Sequence, residues 1–152
     1  MKKLYILTLM FGLVIHPAVS GADEADPEKW YTEHYAPLWS GNPAAKVDQI
    51  THYYDESIAS HSPSGETTTT NSREWLEGVV KYWVADGWVD SELVEVRVDR
   101  LNDWAVVFKS QWLDHYENQD DEHSCGWYLA NRRDGRWVFT GYTELDCGEH
   151  GF

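Results

Sequence analysis

The 152-residue chain has few basic residues, only two cysteines and no apolar run long enough to anchor it permanently in a membrane. Lysine and arginine total 12 against 26 aspartates and glutamates, which gives a formal net charge of −14. A surface this acidic repels phosphate backbones, and no basic cluster is present to attract nucleic acid or an anionic membrane. The composition therefore argues against both of these partners.

Several motifs that carry catalysis or metal binding are also missing. The sequence has no phosphate-cradling glycine loop and no Gly-x-Ser-x-Gly nucleophile setting. His115 and His123 flank an acidic loop that would bind a divalent cation only weakly, through oxygen ligands, and no ligand pair has zinc-like spacing. We therefore expect no cofactor, no specific metal site and no covalent hydrolysis.

The N-terminal residues have the layout of a secretory signal peptide. Two lysines precede the apolar run Leu4–Ile15, and a proline and small residues follow it. Cleavage fits after Ser20 and nearly as well after Ala22, and no cysteine near this junction offers an attachment point for a lipid anchor. The sequence predicts a signal peptide at 1–20, one domain at 21–152 and a periplasmic or secreted location.

The two cysteines, Cys125 and Cys147, suit a disulfide in an oxidising compartment. If Asp134-Gly135 forms a two-residue turn, Cys147 overshoots the residue opposite Cys125 by three positions, which is too far for a bond. A bulge or curl at Gly141 or Gly148 would bring the two cysteines close enough to bond. A disulfide and two free buried thiols both remain open.

Three helix-like segments occupy the first part of the predicted domain. The first begins at the Asp26-Pro27 cap, and the second begins at Asn42-Pro43 and is closed by Tyr54-Asp55-Glu56. The third begins at Asn71, which starts a capping box, and its apolar face ends near Gly87.

Strand-like segments follow the second helix and fill the last third of the chain. A short strand is expected near 57–61, and the threonine run 67–70 is read as an edge strand or loop. Aromatic and β-branched residues then alternate with polar ones as a meander, with tight turns at Asn102-Asp103 and Asp134-Gly135. This order predicts an α+β domain, with three N-terminal helices packed on a curved, mostly antiparallel sheet that forms a cone with an internal pocket.

In-register pairing gives this sheet two apolar faces. The face expected to line the pocket collects Val94, Val96, Val98, Val107, Gln111, Cys125, Trp127, Leu129, Tyr142 and Glu144. The opposite face collects Trp104, Phe108, Trp112, Tyr128, Trp137 and Phe139. Because a second apolar face is too costly to leave in water, we expect a second copy of the chain to cover it. The sequence thus predicts a homodimer through the outer sheet face.

The order of these elements and three short motifs resemble the SnoaL-like branch of the nuclear transport factor two-like superfamily. The motifs are Tyr54-Asp55-Glu56, a His-Ser-Pro element at 61–63 and the Arg-Asp-Gly-Arg-Trp-Val-Phe run at 133–139, and the resemblance covers essentially all of 21–152. It implies a cone-shaped α+β domain, commonly dimeric through the outer sheet face. The superfamily includes ketosteroid isomerases, dehydratases, polyketide cyclases and many binding or scaffold domains.

The isomerase residues of that superfamily are only partly present. Ser62 stands where the general-base aspartate precedes a proline, and Trp127 stands where the second aspartate lies. The tyrosine of the oxyanion hole corresponds to Tyr35 or, one residue earlier, to His34. The resemblance therefore implies that steroid isomerisation is not the activity.

His61 and Glu144 are the candidates to replace those catalytic groups. A histidine titrates near neutrality and can act as general acid or base, and a carboxylate at the cavity end of the last strand can orient it or act as its counterpart. The alternative is a hydrogen-bonded histidine at the pocket rim beside a solvated glutamate. The expected ligand-binding residues are Tyr35, Tyr54, Trp83, Gln111, Trp127 and Tyr142.

Together these patterns predict an exported domain that binds a small, largely apolar molecule in its cone. Cofactor-free acid/base chemistry of the lyase, isomerase or cyclase type would use the same pocket. The alternative is a noncatalytic, dimeric protein-interaction module.

Overall fold

A computed structural model describes residues 26–62 and 64–148. The predicted signal peptide at 1–20 lies outside these residues. Within them, no helix is long and apolar enough to cross a membrane. Helical segments come first and a six-stranded sheet follows, with one further helix inserted after the second strand. The α+β prediction is confirmed.

The first helical segment is continuous but changes its pitch twice. It runs as an α-helical turn at Pro27–Trp30 (α1), a π-helical turn at Tyr31–Tyr35 and a 3₁₀ turn at Ala36–Trp39. The Asp26 carboxylate accepts hydrogen bonds from two backbone N–H groups of the first turn, as the cap pattern predicts. Aromatic residues four positions apart on this segment are all buried against the sheet.

The second helical segment is shorter than predicted. A 3₁₀ turn at Pro43–Lys46 leads into a helix at Val47–Thr51 (α2), and the first strand then begins at Tyr54. Tyr54 therefore starts a strand and does not close the helix. The physical reason is sheet pairing, because Tyr54 pairs with Phe139 and the Phe139 N–H donates to the carbonyl of the residue before Tyr54 at 2.8 Å.

The remaining elements form the sheet and its covering helix. Their bounds are β1 Tyr54–His61, β2 Thr67–Asn71, α3 Ser72–Ala85, β3 Trp88–Asn102, β4 Ala105–Tyr116, β5 Glu122–Arg133 and β6 Arg136–Leu145. The strand order is β2-β1-β6-β5-β4-β3, and all neighbours are antiparallel except β1 and β6. The threonine run is therefore an edge strand. Asn71 caps α3, accepting hydrogen bonds from two backbone N–H groups, as predicted.

The predicted assignment of the two sheet faces is wrong for β4, β5 and the start of β6, whereas Val96 and Val98 of β3 and Tyr142 of β6 pack inward as predicted. Phe108, Trp112, Tyr128, Trp137 and Phe139 are buried in the core that the sheet forms with the helical segments. Alternation could not decide which of two apolar faces meets the helices. The β3–β4 turn also lies at 103–104, one residue later than predicted, and three bulges along β3 change its register.

The opposite, outer face carries residues that were expected to line the pocket. Gln111 and Trp127 lie on it, each one position from a buried inner-face residue, and Lys109 places its Nζ 5.0 Å from the centre of the Trp127 ring. Of the residues predicted to form the dimer interface, Trp104 is 67% exposed, whereas Trp112 is 6% exposed and lies in the core. Homodimerisation itself stays a prediction.

A bulge at Thr140 explains both the inner surface of β6 and the cysteine pairing. The β5–β6 register shifts there, so Phe139 and Tyr142 both face inward although they are three residues apart. The same shift places Cys125 opposite Leu145, two residues before Cys147. The structure contains the Cys125–Cys147 disulfide. Of the two alternatives, the disulfide is confirmed, and the distortion lies beside Gly141.

Candidate functional site

An inner cavity of about 350 Å³ opens on the inner face of the sheet, between β3–β6, α3 and the end of the first helical segment. Its aromatic walls are Trp39, Trp83, Trp112, Tyr116, Tyr128 and Tyr142. Its polar lining includes Ser91, Asp114, Glu122, His123, Ser124, Glu144 and Asp146. The volume falls within the range of small-molecule sites, about 300–1,000 Å³.

The aromatic walls are fixed by contacts among themselves. Trp39, at the end of the first helical segment, meets Trp83 of α3 edge-on at 6.1 Å and Trp112 of β4 at 6.5 Å between ring centres. Tyr142 of β6 contacts Tyr128 of β5 at 4.9 Å between ring centres. Separate elements of the fold thus supply the aromatic walls, and contacts between the rings hold these walls in place.

Gly126 lets Tyr142 lie across the strand beside the cavity. A Cβ atom at this position would lie 2.9 Å from Tyr142 Cε2, closer than side chains tolerate. Gly126 also pairs with Glu144 in the β5–β6 ladder, so the missing side chain leaves room in front of that carboxylate. The glycine therefore creates part of the cavity.

A short hydrogen-bond chain holds Asp114 in the cavity wall. Trp88 Nε1 donates to Ser91 Oγ at 3.0 Å, and the Ser91 hydroxyl donates to Asp114 Oδ1. Ser91 and Asp114 are opposite each other in the β3–β4 register, and Ser91 is buried. The carboxylate is thus positioned by groups beneath it and presents its remaining acceptor sites to the cavity.

A second cavity, the rim cavity, adjoins the first between β1, β2 and α3. It has a volume of about 410 Å³ and is lined by Ser60, His61, Ser62, Glu66, Thr68, Trp75, Gly78, Val79, Tyr82, Trp83, Tyr142 and Glu144. Trp83, Tyr142 and Glu144 line both cavities. These three residues form the wall between them.

The predicted catalytic pair borders the rim cavity, but the register separates the two side chains. His61 pairs with Thr143 in the β1–β6 ladder, and Glu144 is the next residue along, so the two side chains leave the sheet on opposite faces. His61 Nδ1 is hydrogen-bonded to Thr67 Oγ1 at 2.7 Å. The structure places Glu144 on the inner face, where it lines both cavities, whereas His61 lines the rim cavity and not the inner one.

The six predicted ligand-binding residues fall into three groups. Trp83 and Tyr142 line the inner cavity, as expected. Tyr35 and Tyr54 are buried beneath it and share a hydrogen bond of 2.7 Å between their hydroxyl oxygens. Gln111 and Trp127, on the outer face, line neither cavity.

The buried tyrosines are neutral at physiological pH. Burial raises the pKa of Tyr35 well above its ordinary value, and it raises the pKa of Tyr54 in the same way. The pKa of Tyr142 is raised first by burial and then by the negative charge of Glu144. These phenols are therefore hydrogen-bonding groups and not general bases near neutral pH.

Sequence reasoning missed Asp114, Ser91 and Trp39 as cavity residues. For Asp114 the cause is plain, because Phe108 and Trp112 point inward and Asp114 is the next inward position along β4. Ser91 then follows as its partner in the β3–β4 register. The alternation along β4 does place Asp114 on the same face as Phe108 and Trp112, but that face was predicted to be the outer one.

No protein-family model and no curated protein sequence matches the chain. Solved structures do match. A nuclear transport factor two-like protein of unknown function from Shewanella oneidensis shares 17% identity, with 76% of this chain and 93% of that one covered and a TM-score of 0.58. A protein from Xanthomonas campestris, provisionally named a polyketide cyclase, shares 15% identity over 86% and 96% of the two chains, with a TM-score of 0.56.

A third match is a protein with a ketosteroid isomerase-like fold from Catenulispora acidiphila, solved in complex with trimethylamine. It shares 14% identity over 79% of this chain and 85% of that one, with a TM-score of 0.54. Identities this low show the fold alone. The described part of this chain has the cone-shaped fold of the nuclear transport factor two-like proteins.

Proposed function

We propose that this protein is exported and binds a small, largely apolar organic molecule in the inner cavity. The observation that carries the proposal is a cavity of about 350 Å³ on the inner face of the sheet, lined by aromatic rings and by polar side chains. Apolar walls provide binding free energy, and convergent polar groups fix orientation. A disulfide beside the cavity suits an oxidising compartment outside the cytoplasm.

The fold comparison supports this proposal in one respect. The matched Catenulispora protein was solved with a small organic molecule, trimethylamine, in complex. The same fold is thus compatible with binding a compact organic ligand. Which molecule this chain binds depends on its own residues.

Acid/base chemistry of the lyase, isomerase or cyclase type remains a hypothesis for the same cavity. Glu144 is the predicted catalytic residue that lies on the inner face, where it faces both cavities. His61 would have to act from the rim, since its side chain leaves the opposite face of the sheet. The geometry therefore supports binding more directly than it supports a two-residue catalytic mechanism.

The structure does not provide the exposed aromatic face on which the alternative, a dimeric interaction module, was based. Phe108, Trp112 and Trp137 from that face are buried in the core. Trp104 of the predicted face stays exposed, and Leu129 is a further exposed apolar residue on the outer face that a homodimer could cover.

A cavity-filling substitution tests the binding proposal. Ser124 lies on the inner face of β5 and lines the cavity, so Ser124→Trp should place an indole in the ligand space. The uncharged dye N-phenyl-1-naphthylamine should bind the wild type, gain fluorescence and quench tryptophan emission. We expect the Ser124→Trp variant to bind this dye about tenfold more weakly, or not at all.

Gln111→Trp is the matched control, because Gln111 is similarly half-buried but lies on the outer face. It should leave the dye affinity unchanged. Circular dichroism spectra and melting curves of both variants verify folding. Equal loss of affinity in the two variants, or no binding by the wild type, would contradict the proposal.

A further inference from the structure

The inner cavity carries several negative charges and no compensating lysine or arginine among the described residues that line it. Asp114, Glu122, Glu144 and Asp146 all contribute to the lining. The nearby Lys109 is on the other face of β4, where its Nζ contacts Asp99 at 2.6 Å. The described cavity therefore has an unbalanced negative charge.

The register shows that two of these charges face each other directly. Asp114 on β4 pairs with Glu122 on β5, and like charges directly opposite on one face of a sheet destabilise it. Ser91 nonetheless holds the Asp114 carboxylate in place by donating a hydrogen bond to it. A positively charged ligand would relieve this repulsion.

The aromatic walls provide the second half of a cation site. The cavity lining includes Trp39, Trp83 and Trp112, which are linked by ring contacts, and the contacting pair Tyr128 and Tyr142. The face of an aromatic ring carries a partial negative charge that attracts a cation, most strongly in tryptophan. Asp114 and Glu144 also contribute to the raised pKa of Tyr142, so their negative charge acts at the cavity wall.

The arrangement suits an organic cation better than a metal ion. Among residues 26–62 and 64–148, no three histidine, cysteine, aspartate or glutamate side chains converge as metal ligands. Charges spread around an aromatic cavity match a bulky, weakly hydrated cation, whereas Mg²⁺ and Ca²⁺ need oxygen atoms gathered within about 2.0–2.6 Å of one point.

We propose that the inner cavity binds an organic ammonium ion, with the cation between the aromatic walls and the carboxylates of Asp114 and Glu144. This inference rests on the proposed binding function of the same cavity. It specifies in addition that the ligand is positively charged.

The test compares choline with 3,3-dimethylbutan-1-ol, its neutral isostere, by calorimetry and tryptophan fluorescence on the disulfide-bonded protein. The two probes have the same shape and hydroxyl group and differ only in the charge. We expect choline to bind about tenfold more tightly than the alcohol. Raising the salt concentration should reduce this difference, because salt screens charge interactions.

Variants then identify the carboxylates. Asp114→Asn and Glu144→Gln should each lower the affinity for choline by about fivefold, and neither should change the affinity for the alcohol. Asp103→Asn is the control, since Asp103 is an exposed acid in the β3–β4 turn, at the opposite end of that hairpin. It should leave both affinities unchanged.

The outcomes separate this inference from the proposed function. If N-phenyl-1-naphthylamine binds but choline binds no more tightly than the alcohol, the cavity binds ligands and the inference about charge is wrong. Equal effects of Asp103→Asn and Asp114→Asn would also overturn it. If neither the dye nor choline binds, the proposed function fails with it.

Discussion

Replacing Phe139 with alanine should lower the free energy of unfolding by about 4 kcal/mol. Phe139 is fully buried, and its ring contacts Tyr35 at 4.7 Å, Tyr128 at 5.0 Å and Trp30 at 5.2 Å between ring centres. The substitution removes a large apolar side chain and leaves a cavity that the surrounding rings cannot fill without moving.

Trp104→Ala is the control for this substitution. Trp104 is 67% exposed in the β3–β4 turn, so its removal should change stability by no more than about 0.5 kcal/mol. Urea denaturation followed by circular dichroism measures both values. A loss of stability in Trp104→Ala as large as that in Phe139→Ala would contradict the placement of Phe139 on the inner face of the sheet and of Trp104 in solvent.

Reduction of the Cys125–Cys147 disulfide should lower the free energy of unfolding by about 3 kcal/mol. The bond closes a loop with a sequence separation of 22, so it limits the freedom of the unfolded chain. It also ties the segment after β6 to β5, where Asp146 and Cys147 line the inner cavity. We therefore expect dye affinity to fall on reduction.

Denaturation of the wild type with and without dithiothreitol measures the effect on stability. The double variant Cys125→Ala/Cys147→Ala should have the stability of the reduced wild type with or without dithiothreitol, because it has no bond to reduce. A wild type whose stability does not change on complete reduction would show that the bond contributes nothing to the fold.

Local signals in the sequence predicted the starts of α1 and α3 correctly. Asp26 and Asn71 were identified as caps from neighbouring residues alone, and both accept hydrogen bonds from the first turns of their helices. Tyr54 was assigned to a helix by its spacing, but pairing with Phe139 on a distant strand makes it part of β1. The local pattern contained no information about that distant strand.

The inner face of the sheet could not be identified from alternation. Both faces of β4 are rich in apolar residues, so the period of two was correct and the choice of side was not. In β6 the two-residue alternation itself is interrupted, because the bulge at Thr140 places Phe139 and Tyr142 on the same face. A bulge depends on the partner strand, which the sequence of one strand does not describe.

The candidate site was predicted only in part for the same reason. Trp83 and Tyr142 line the cavity as expected, since the first projects from a well-predicted helix and the bulge moves the second inward. Asp114 was overlooked because the side chains of β4 were assigned to the wrong faces of the sheet. Gln111 was predicted to bind the ligand for the same reason.

The most direct test of the central claim, that a small molecule binds in the inner cavity, is an NMR titration of the tryptophan indole N–H signals. Isotope-labelled protein would be titrated with N-phenyl-1-naphthylamine, after assignment of each signal by single substitution. Trp39, Trp83 and Trp112 line the cavity, whereas Trp104 and Trp127 lie outside it. We predict shifts in the first three signals and none in the last two. Shifts confined to Trp104 and Trp127 would place the ligand on the outer surface and contradict the account.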